Sequence, residues 1–257
     1  TVGNSVNDHQ LTNIENVIGS TGTDTIEGDS ANNTLNGTSG TNDTVSYANA
    51  TSSVYVNLGT AITTDITADS VADTIGANSA TGSAIGTDSL SNFDDVLGSG
   101  NDDTIVGDGA NNTLNGAAGN DILIGGAGAD SLIGGAGNSD TVSYATDSSG
   151  IDVSLRNGSG TDGSGATDTY ETIENVIGSS SDDTIEGNTS NKILDGGAGT
   201  DTLTYKISVT GVSFNLGVVT NNTGNDGTDT IRNFENLEGS NLADILTGSS
   251  TSNIING

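Results

Sequence analysis

Apolar residues recur along this chain at intervals of about nine, each inside a short stretch x-U-x in which U is a large aliphatic residue. One apolar residue between two polar neighbours is typical of a short strand that turns a single side chain inward. No segment shows a sustained helical period, so the pattern predicts an all-β chain. The predicted inward row consists of Ile26, Leu35, Ile105, Leu114, Leu123, Leu132, Val142, Ile185, Leu194, Leu203, Leu246 and Ile255.

A longer repeat contains these strands. The sequence L-T-N-I-E-N-V-I-G begins at Leu11, and related sequences begin at Leu90, Tyr170 and Ile231. Glycines then follow each copy at intervals of nine residues. The copies define modules at approximately 11–89, 90–169 and 170–230, with a partial fourth at 231–257. Units that each bury one aliphatic row predict one continuous solenoid over 1–257, in which each coil contacts its neighbours.

Two further blocks recur after the glycines and read as strands from their alternation and β-branched or aromatic content. The first is D-T-V-S-Y or D-T-L-T-Y, which ends at Tyr47, Tyr144 and Tyr205. These tyrosines share one repeat position, so we expect them to pack in the core. The second block resembles V-Y-V-N-L. The segment 59–89 lengthens the first module. It is either another irregular coil or a surface loop, and we favour a loop that contains some strand.

The clearest chemistry lies at 116–133, which reads G-A-A-G-N-D-I-L-I and then G-G-A-G-A-D-S-L-I. We number each nonapeptide from its first glycine, so that the aspartates Asp121 and Asp130 occupy position 6. Glycine permits tight turns that expose backbone carbonyls, and aspartate supplies an anionic oxygen of the kind that calcium prefers. Two nonapeptides give two strands and two turns, so the segment is predicted to insert one complete coil without changing the register.

These residues resemble the RTX, or haemolysin-type calcium-binding, proteins, whose repeat has the form G-G-x-G-x-D-x-U-x. The resemblance implies a parallel β-roll or β-solenoid built from glycine-rich nonapeptides with longer irregular coils. It also implies several Ca²⁺ ions between stacked turns, held by aspartate carboxylates and turn carbonyls. The predicted metal ligands are Asp24, Asp43, Asp103, Asp121, Asp130, Asp140, Asp183, Asp201 and Asn112.

Stacking of nonapeptides 18 residues apart predicts which ligands share a side of the roll. We assign one side to Asp24, Asp43, Asp103, Asp121, Asp140, Asp183 and Asp201, and the opposite side to Asn33, Asn112, Asp130 and Lys192. The intervals 24–43 and 121–140 each contain one extra residue. Lys192 occupies an aspartate position, so its ammonium is expected to stand where an ion would otherwise bind. Calcium is therefore expected on one side only in the third module.

Composition supports a metal requirement. The 257 residues include 34 acidic and 4 basic side chains, giving a net charge of −30, and there is no cysteine. Leu, Ile, Val and Phe make up about 21% of the chain, close to the level at which charged chains stay disordered. Divalent cations are the obvious means of cancelling this charge. The basic side chains are too few and too scattered for nucleic-acid binding. An anionic membrane surface would repel so acidic a chain.

We expect no catalysis. His9 is the only histidine, there is no G-x-S-x-G motif, and the acidic pairs Asp102-Asp103 and Asp182-Asp183 recur at equivalent repeat positions. Recurrence suits structural ion sites better than a unique active site.

The resemblance implies a secreted, calcium-dependent structural protein of the bacterial cell surface or matrix, exported by type I secretion and folded by calcium outside. Among structural roles we favour an adhesin stalk, a surface-layer protein or a filament in which copies stack head to tail. The alternative is an accessory calcium-binding module of a larger secreted enzyme or toxin. Without an initiator methionine or a recognisable signal, the chain is expected to be a processed product or an excised segment.

Overall fold

The structure is a computed structural model that describes residues 14–40, 42–68, 73–222 and 227–257. The chain divides into two compact units, which we describe separately: Thr1–Thr63 with Asp73–Asp140, and Thr64–Ala72 with Thr141–Gly257. The prediction of one continuous solenoid therefore stays a prediction. His9 and the predicted start of the first module at Leu11 lie outside the described residues.

Unit 1 contains short strands in two sheets. Its first sheet has the order β1-β3-β7-β6-β5-β9-β11, and its second has the order β2-β4-β8-β10-β12. The strands are β1 (Asn16–Ile18), β2 (Thr25–Glu27), β3 (Thr34–Asn36), β4 (Thr44–Ser46), β5 (Tyr55–Asn57), β6 (Ser79–Gly82), β7 (Gly86–Ser91), β8 (Asp95–Leu97), β9 (Thr104–Val106), β10 (Thr113–Asn115), β11 (Ile122–Ile124) and β12 (Ser131–Ile133).

Unit 2 is built in the same way. One sheet has the order β13-β17-β19-β23-β22, another has the order β16-β15-β14-β18-β20-β24-β26, and β21 pairs with β25. The strands are β13 (Thr141–Ser143), β14 (Asp152–Ser154), β15 (Ser159–Thr161), β16 (Thr167–Glu171), β17 (Asn175–Ile177), β18 (Thr184–Glu186), β19 (Ile193–Asp195), β20 (Thr202–Thr204), β21 (Ser213–Asn215), β22 (Thr220–Asn222), β23 (Thr228–Arg232), β24 (Asn236–Glu238), β25 (Ile245–Thr247) and β26 (Ile255–Asn256).

Successive nonapeptides place their strands in opposite sheets, and strands about 18 residues apart stack in parallel. Leu114 pairs with Leu132, and Leu123 pairs with Ile105. Leu114, Leu123 and Leu132 are completely buried, because the middle residue of each three-residue strand points between the sheets. The inserted nonapeptides supply β11 and β12, one strand to each sheet. The predicted whole-coil insertion and the all-β class are confirmed; the described residues contain no helix.

The aliphatic row is buried as predicted except in the last described coil. Ile255 is 39% exposed and Leu246 is partly exposed, so the prediction that both belong to the core is wrong. Each of their strands pairs with one partner only, β25 with β21 and β26 with β24. A strand covered on one side leaves part of its inward row open to solvent.

Three irregular excursions interrupt the coils, and we call them meanders 1, 2 and 3. Meander 1 is β5–β7, meander 2 is β14–β16 and meander 3 is β21–β23. Within meander 1, β6 pairs antiparallel with both β5 and β7, while β7 and β5 pair in parallel with coil strands. The strand content predicted for 59–89 is confirmed, because β6 and most of β7 lie within it; both belong to the first sheet of unit 1.

Within the part of the chain that the structure describes, no helix is long and apolar enough to cross a membrane.

Candidate metal centres

The aspartates at position 6, or at position 7 in the two turns with an extra residue (Asp43 and Asp140), form ladders along the stacked turns. The backbone N–H of Asp103 donates to Oδ1 of Asp121 at 2.7 Å, and the N–H of Asp121 donates to Oδ1 of Asp140 at 2.8 Å. In unit 2 the N–H of Asp183 donates to Oδ1 of Asp201 at 2.9 Å. Each aspartate precedes its strand directly, so the parallel register of the strands brings equivalent carboxylates together.

Other predicted ligands join similar ladders. The N–H of Asp24 donates to Oδ1 of Asp43, and the N–H of Asn112 donates to Oδ1 of Asp130, both at 2.8 Å. The structure therefore brings the predicted residues together within each unit. It does so through backbone hydrogen bonds, which use one oxygen of each carboxylate and leave the second oxygen for other partners.

The predicted assignment of ligands to sides is correct within each module but wrong between modules 1 and 2. Asp24 and Asp43 precede β2 and β4 in the second sheet of unit 1, the same sheet that Asn112 and Asp130 precede. Asp103 precedes β9 in the first sheet. The side changes because a module adds an odd number of half-coils, so that β1 and β8, which begin modules 1 and 2, lie in opposite sheets.

In one class of turn, serine at position 2 caps the aspartate. We call 19–24, 98–103 and 178–183 the closed turns. The N–H of Ser99 donates to Oδ2 of Asp103 at 2.5 Å, and its hydroxyl donates to Oδ1 at 2.8 Å. Ser179 makes the same two bonds to Asp183, at 2.7 and 2.8 Å. Both carboxylate oxygens of a closed turn therefore have donors from the protein itself.

A second class, the open turns, has position 2 at a positive φ. These turns are 37–43, 116–121, 125–130, 134–140 and 196–201, with φ of 82° at Thr38, 75° at Ala117, 95° at Gly126, 107° at Gly135 and 85° at Gly197. The N–H of Ala117 donates backwards to Oδ1 of Asn115 at 2.9 Å, and that of Gly197 donates to Oδ1 of Asp195 at 3.0 Å. The position-2 N–H of these two turns is therefore not available to the aspartate at position 6.

In three of the open turns, the second oxygen of the aspartate carboxylate accepts no hydrogen bond. Among the described residues, Oδ2 of Asp43, Asp121 and Asp201 is buried and has no hydrogen-bond partner. A buried charged oxygen without a partner is costly, and a cation would satisfy it. Asp244, in the turn 239–244, is intermediate: Ser240 donates its hydroxyl to Oδ1 at 2.7 Å, while Oδ2 has no partner.

The raised pKa values of two open-turn aspartates also favour a bound cation. Burial raises the pKa of Asp121 to about 7; the N–H of Asp103 opposes this shift, and the carboxylates of Asp103 and Asp140 add to it. Burial likewise raises the pKa of Asp201 to about 7, opposed by the N–H of Asp183 and reinforced by the Asp183 and Glu235 carboxylates. Buried like charges favour protonation unless a cation stands between them.

Backbone oxygens must supply much of any ion's coordination shell. Within the described residues, no three His, Cys, Asp or Glu side chains form a group that could hold a metal by themselves. The open turns provide close backbone packing instead: a Cβ on Gly119, whose φ is +131°, would lie 2.6 Å from the carbonyl oxygen of Asn101. Carboxylate oxygens combined with turn carbonyls are the hard donor set that Ca²⁺ takes, so the open turns fit this ion.

Asparagine and lysine at position 6 make a metal-free alternative. Nδ2 of Asn112 donates to the carbonyl of Asp94 at 2.7 Å, and Nδ2 of Asn33 donates to that of Ile14 at 3.3 Å. Lys192 is 3% exposed, and its Nζ donates to the carbonyl of Ile173 at 3.3 Å. Burial lowers the pKa of Lys192, opposed by nearby acids. In each of these turns a side-chain nitrogen thus donates to a backbone carbonyl where a cation could otherwise bind. This favours a metal-free role for Asn112 as well.

A further set of carboxylates was not predicted from the sequence. Asp88, Asp168 and Asp229 are completely buried in the last strands of the meanders, and each accepts a hydrogen bond from a tyrosine hydroxyl. The donors are Tyr47, Tyr144 and Tyr205, whose predicted core packing is confirmed. The recurring T-D-x-x motif at 87–90, 167–170 and 228–231 was the available signal.

Comparison with known proteins identifies the repeat. Residues 12–44, 91–123, 106–139 and 168–204 match the model of the RTX calcium-binding nonapeptide repeat. The matched segments contain every predicted ligand except Asp140. Repeats of this type bind Ca²⁺, and several repeats imply several ions. A search of the curated proteins finds no significant match.

Proposed function

Because the chain carries four copies of the RTX calcium-binding nonapeptide repeat, we propose that it is a structural segment of a secreted or cell-surface protein that folds when it binds Ca²⁺. The observation that carries this proposal is the buried, unpartnered Oδ2 of Asp43, Asp121 and Asp201. The net charge of −30 supports it, since self-repulsion opposes compaction until cations bind.

We assign the ions to the open turns. The ligand role of Asp43, Asp121, Asp130, Asp140 and Asp201 is retained in this proposal. That of Asp24, Asp103 and Asp183 is given up, because their closed turns already supply donors to both oxygens. Serine thus does locally what the ion does in the open turns.

The test is a calorimetric calcium titration of chelator-treated protein, with circular dichroism in parallel. Calcium is expected to increase the β structure of a chain that is partly disordered without it. Asp121→Asn should lower the number of bound ions. Asp103→Asn, the matched control in the preceding coil, should reduce stability without changing that number. A fold unaffected by chelation would overturn the proposal, and equal ion loss in both variants would overturn the assignment to open turns.

As its specific structural role we propose an adhesin stalk, a surface-layer protein or a filament segment, without catalytic activity. In support, the acidic residues recur at equivalent repeat positions. Copies are proposed to stack head to tail, because solenoid coils present similar strands to their neighbours. Light scattering of this 257-residue segment in calcium tests the stacking, and a purely monomeric population would contradict it.

A further inference from the structure

The meanders are held by carboxylates whose donors are all protein groups. In meander 1, Oδ2 of Asp88 accepts the Tyr47 hydroxyl at 3.1 Å, and its Oδ1 accepts the N–H of Asn33 at 2.8 Å. In meander 3, Oδ2 of Asp229 accepts the Tyr205 hydroxyl at 2.8 Å, and Oδ1 accepts the N–H of Lys192 at 3.1 Å. The tyrosine hydroxyl thus bonds the carboxylate oxygen that has no partner in Asp43, Asp121 and Asp201.

Meander 2 repeats the tyrosine bond. The Tyr144 hydroxyl lies 2.8 Å from Oδ2 of Asp168 and 2.5 Å from the hydroxyl of Tyr170, and Asp168 is completely buried. Three independent segments of the chain therefore place a buried tyrosine on the aspartate of the last meander strand. Because the same hydrogen bond occurs in all three meanders, it is a regular feature of the fold.

The first strands of meanders 1 and 2 are each held by a second hydrogen bond, which their preceding residues donate. The N–H of Val54, just before β5, donates to Oδ1 of Asp103 at 2.8 Å, and Asp103 belongs to a closed turn. The N–H of Ile151, just before β14, donates to Oδ1 of Asp183 at 2.9 Å, again in a closed turn. Meanders 1 and 2 therefore have serine-capped and tyrosine-capped carboxylates at their two ends.

Local pairing adds to these ties. β6 and β7 are antiparallel strands joined by a short turn, and Val56, Ala80 and Leu90 of this meander are buried. Antiparallel neighbours close short loops, so their ordering costs less entropy than stacking of distant coils.

We propose that the tyrosine-capped meanders, together with the residues that donate hydrogen bonds to their carboxylates, form calcium-independent folded units from which calcium extends order into the open turns. The tyrosine hydroxyl takes the place of the ion in these units. The meander carboxylates are different residues from the proposed calcium ligands, and the units that they hold are what the chain retains when calcium is removed.

Hydrogen exchange of the full 257-residue chain, with and without chelator, tests the inference. Residues 79–91 in meander 1 should stay protected in chelator, whereas 116–133 in the open turns should lose protection. Tyr47→Phe should speed exchange of 79–91 in chelator by roughly 10- to 100-fold, because a buried hydrogen bond to a carboxylate is lost. Tyr55→Phe is the matched control: Tyr55 lies in the same meander but is 49% exposed, so this variant should exchange like the wild type.

If Tyr47→Phe does not fold even in calcium, Tyr205→Phe provides the same comparison at 228–232. The inference is overturned if wild-type 79–91 exchanges in chelator as fast as 116–133, or if the Tyr47 and Tyr55 variants behave alike. A different result would overturn the proposed function: residues 116–133 would be equally protected with and without calcium, independently of the exchange rate in the meanders.

Discussion

The coil at 116–133 and meander 1 bury similar aliphatic residues but complete their hydrogen bonding differently. In the coil, the position-2 N–H of Ala117 turns away from Asp121 and leaves its Oδ2 without a partner. In the meander, Tyr47 donates to the equivalent oxygen of Asp88. Aspartate therefore serves two purposes in this chain. It is a structural carboxylate where a neighbouring group donates to its second oxygen, and a candidate metal ligand where none does.

Truncation of a core leucine in each region should give the largest effect and separate the regions most clearly. Leu123 lies in β11 and Leu90 in β7, and both are buried. With calcium, alanine at either position should cost about 2–5 kcal/mol because a cavity forms. In chelator, Leu90→Ala should still destabilise the residual structure, whereas Leu123→Ala should have no further effect.

Urea denaturation followed by circular dichroism measures both leucine variants. An equal cost for Leu123→Ala with and without calcium would show that the coil at 116–133 does not depend on the ion, and so would remove the contrast between the regions.

Glycine substitutions compare an open turn with a closed one. Gly119→Ala places a Cβ 2.5 Å from the backbone carbon of Asn101, at a φ of +131°, whereas a Cβ on Gly100 meets nothing within 4 Å. The strain of such a residue is about 1–3 kcal/mol, so Gly119→Ala should weaken calcium binding by roughly tenfold or more. Gly100→Ala should bind normally in the same calorimetric titration; equal losses in the two variants would contradict the distinction between turn classes.

Acid should partly replace calcium in the open turns. The folded-state pKa values of Asp121 and Asp201 are raised to about 7, so folding favours the protonated form. This contribution is fully present below the ordinary aspartate pKa of about 4 and is lost as the pH rises through about 7. In chelator, the thermal midpoint should therefore be higher near pH 5 than near pH 8.

Asp121→Asn is the control for the pH effect, since a permanently neutral side chain should flatten the dependence. Saturating calcium should also flatten it, because the ion replaces the proton. A thermal midpoint in chelator that falls on acidification from pH 8 to pH 5 would contradict this account.

Loss of a serine cap should give the smallest effect. Ser99→Ala removes one hydroxyl donor from Asp103 but keeps the backbone N–H bond. The expected cost is about 1 kcal/mol, against near zero for Ser89→Ala, whose side chain is exposed. Thermal unfolding in calcium measures both. A change in the number of bound ions in Ser99→Ala would mean that the closed turn can be opened.

Much of the fold could be predicted because it follows from local periodicity. The x-U-x stretches predicted the strands, and Leu114, Leu123 and Leu132 are buried as expected. The nine-residue spacing predicted the whole-coil insertion at 116–133. The side of the roll on which each aspartate lies could not be predicted in this way. That side depends on the number of half-coils in each module, and each meander returns to the sheet that it leaves.

The candidate sites were only partly predictable for a similar reason. Asp103 and Asp121 look alike in the sequence, and serine at position 2 was not recognised as a cap. Its effect appears only when Ser99 is seen to reach both oxygens of Asp103. The tyrosine bonds of Asp88, Asp168 and Asp229 join residues 41, 24 and 24 positions apart, beyond the reach of any local pattern.

The sequence by itself determined the nine-residue strand-and-turn unit, the inward aliphatic row and an excess of negative charge, because each depends on neighbouring residues alone. Tertiary structure decided which carboxylates remain open to calcium. That outcome depends on donors supplied by serine, by tyrosine or by the backbone of a stacked coil, and stacking brings them together only when the chain is folded.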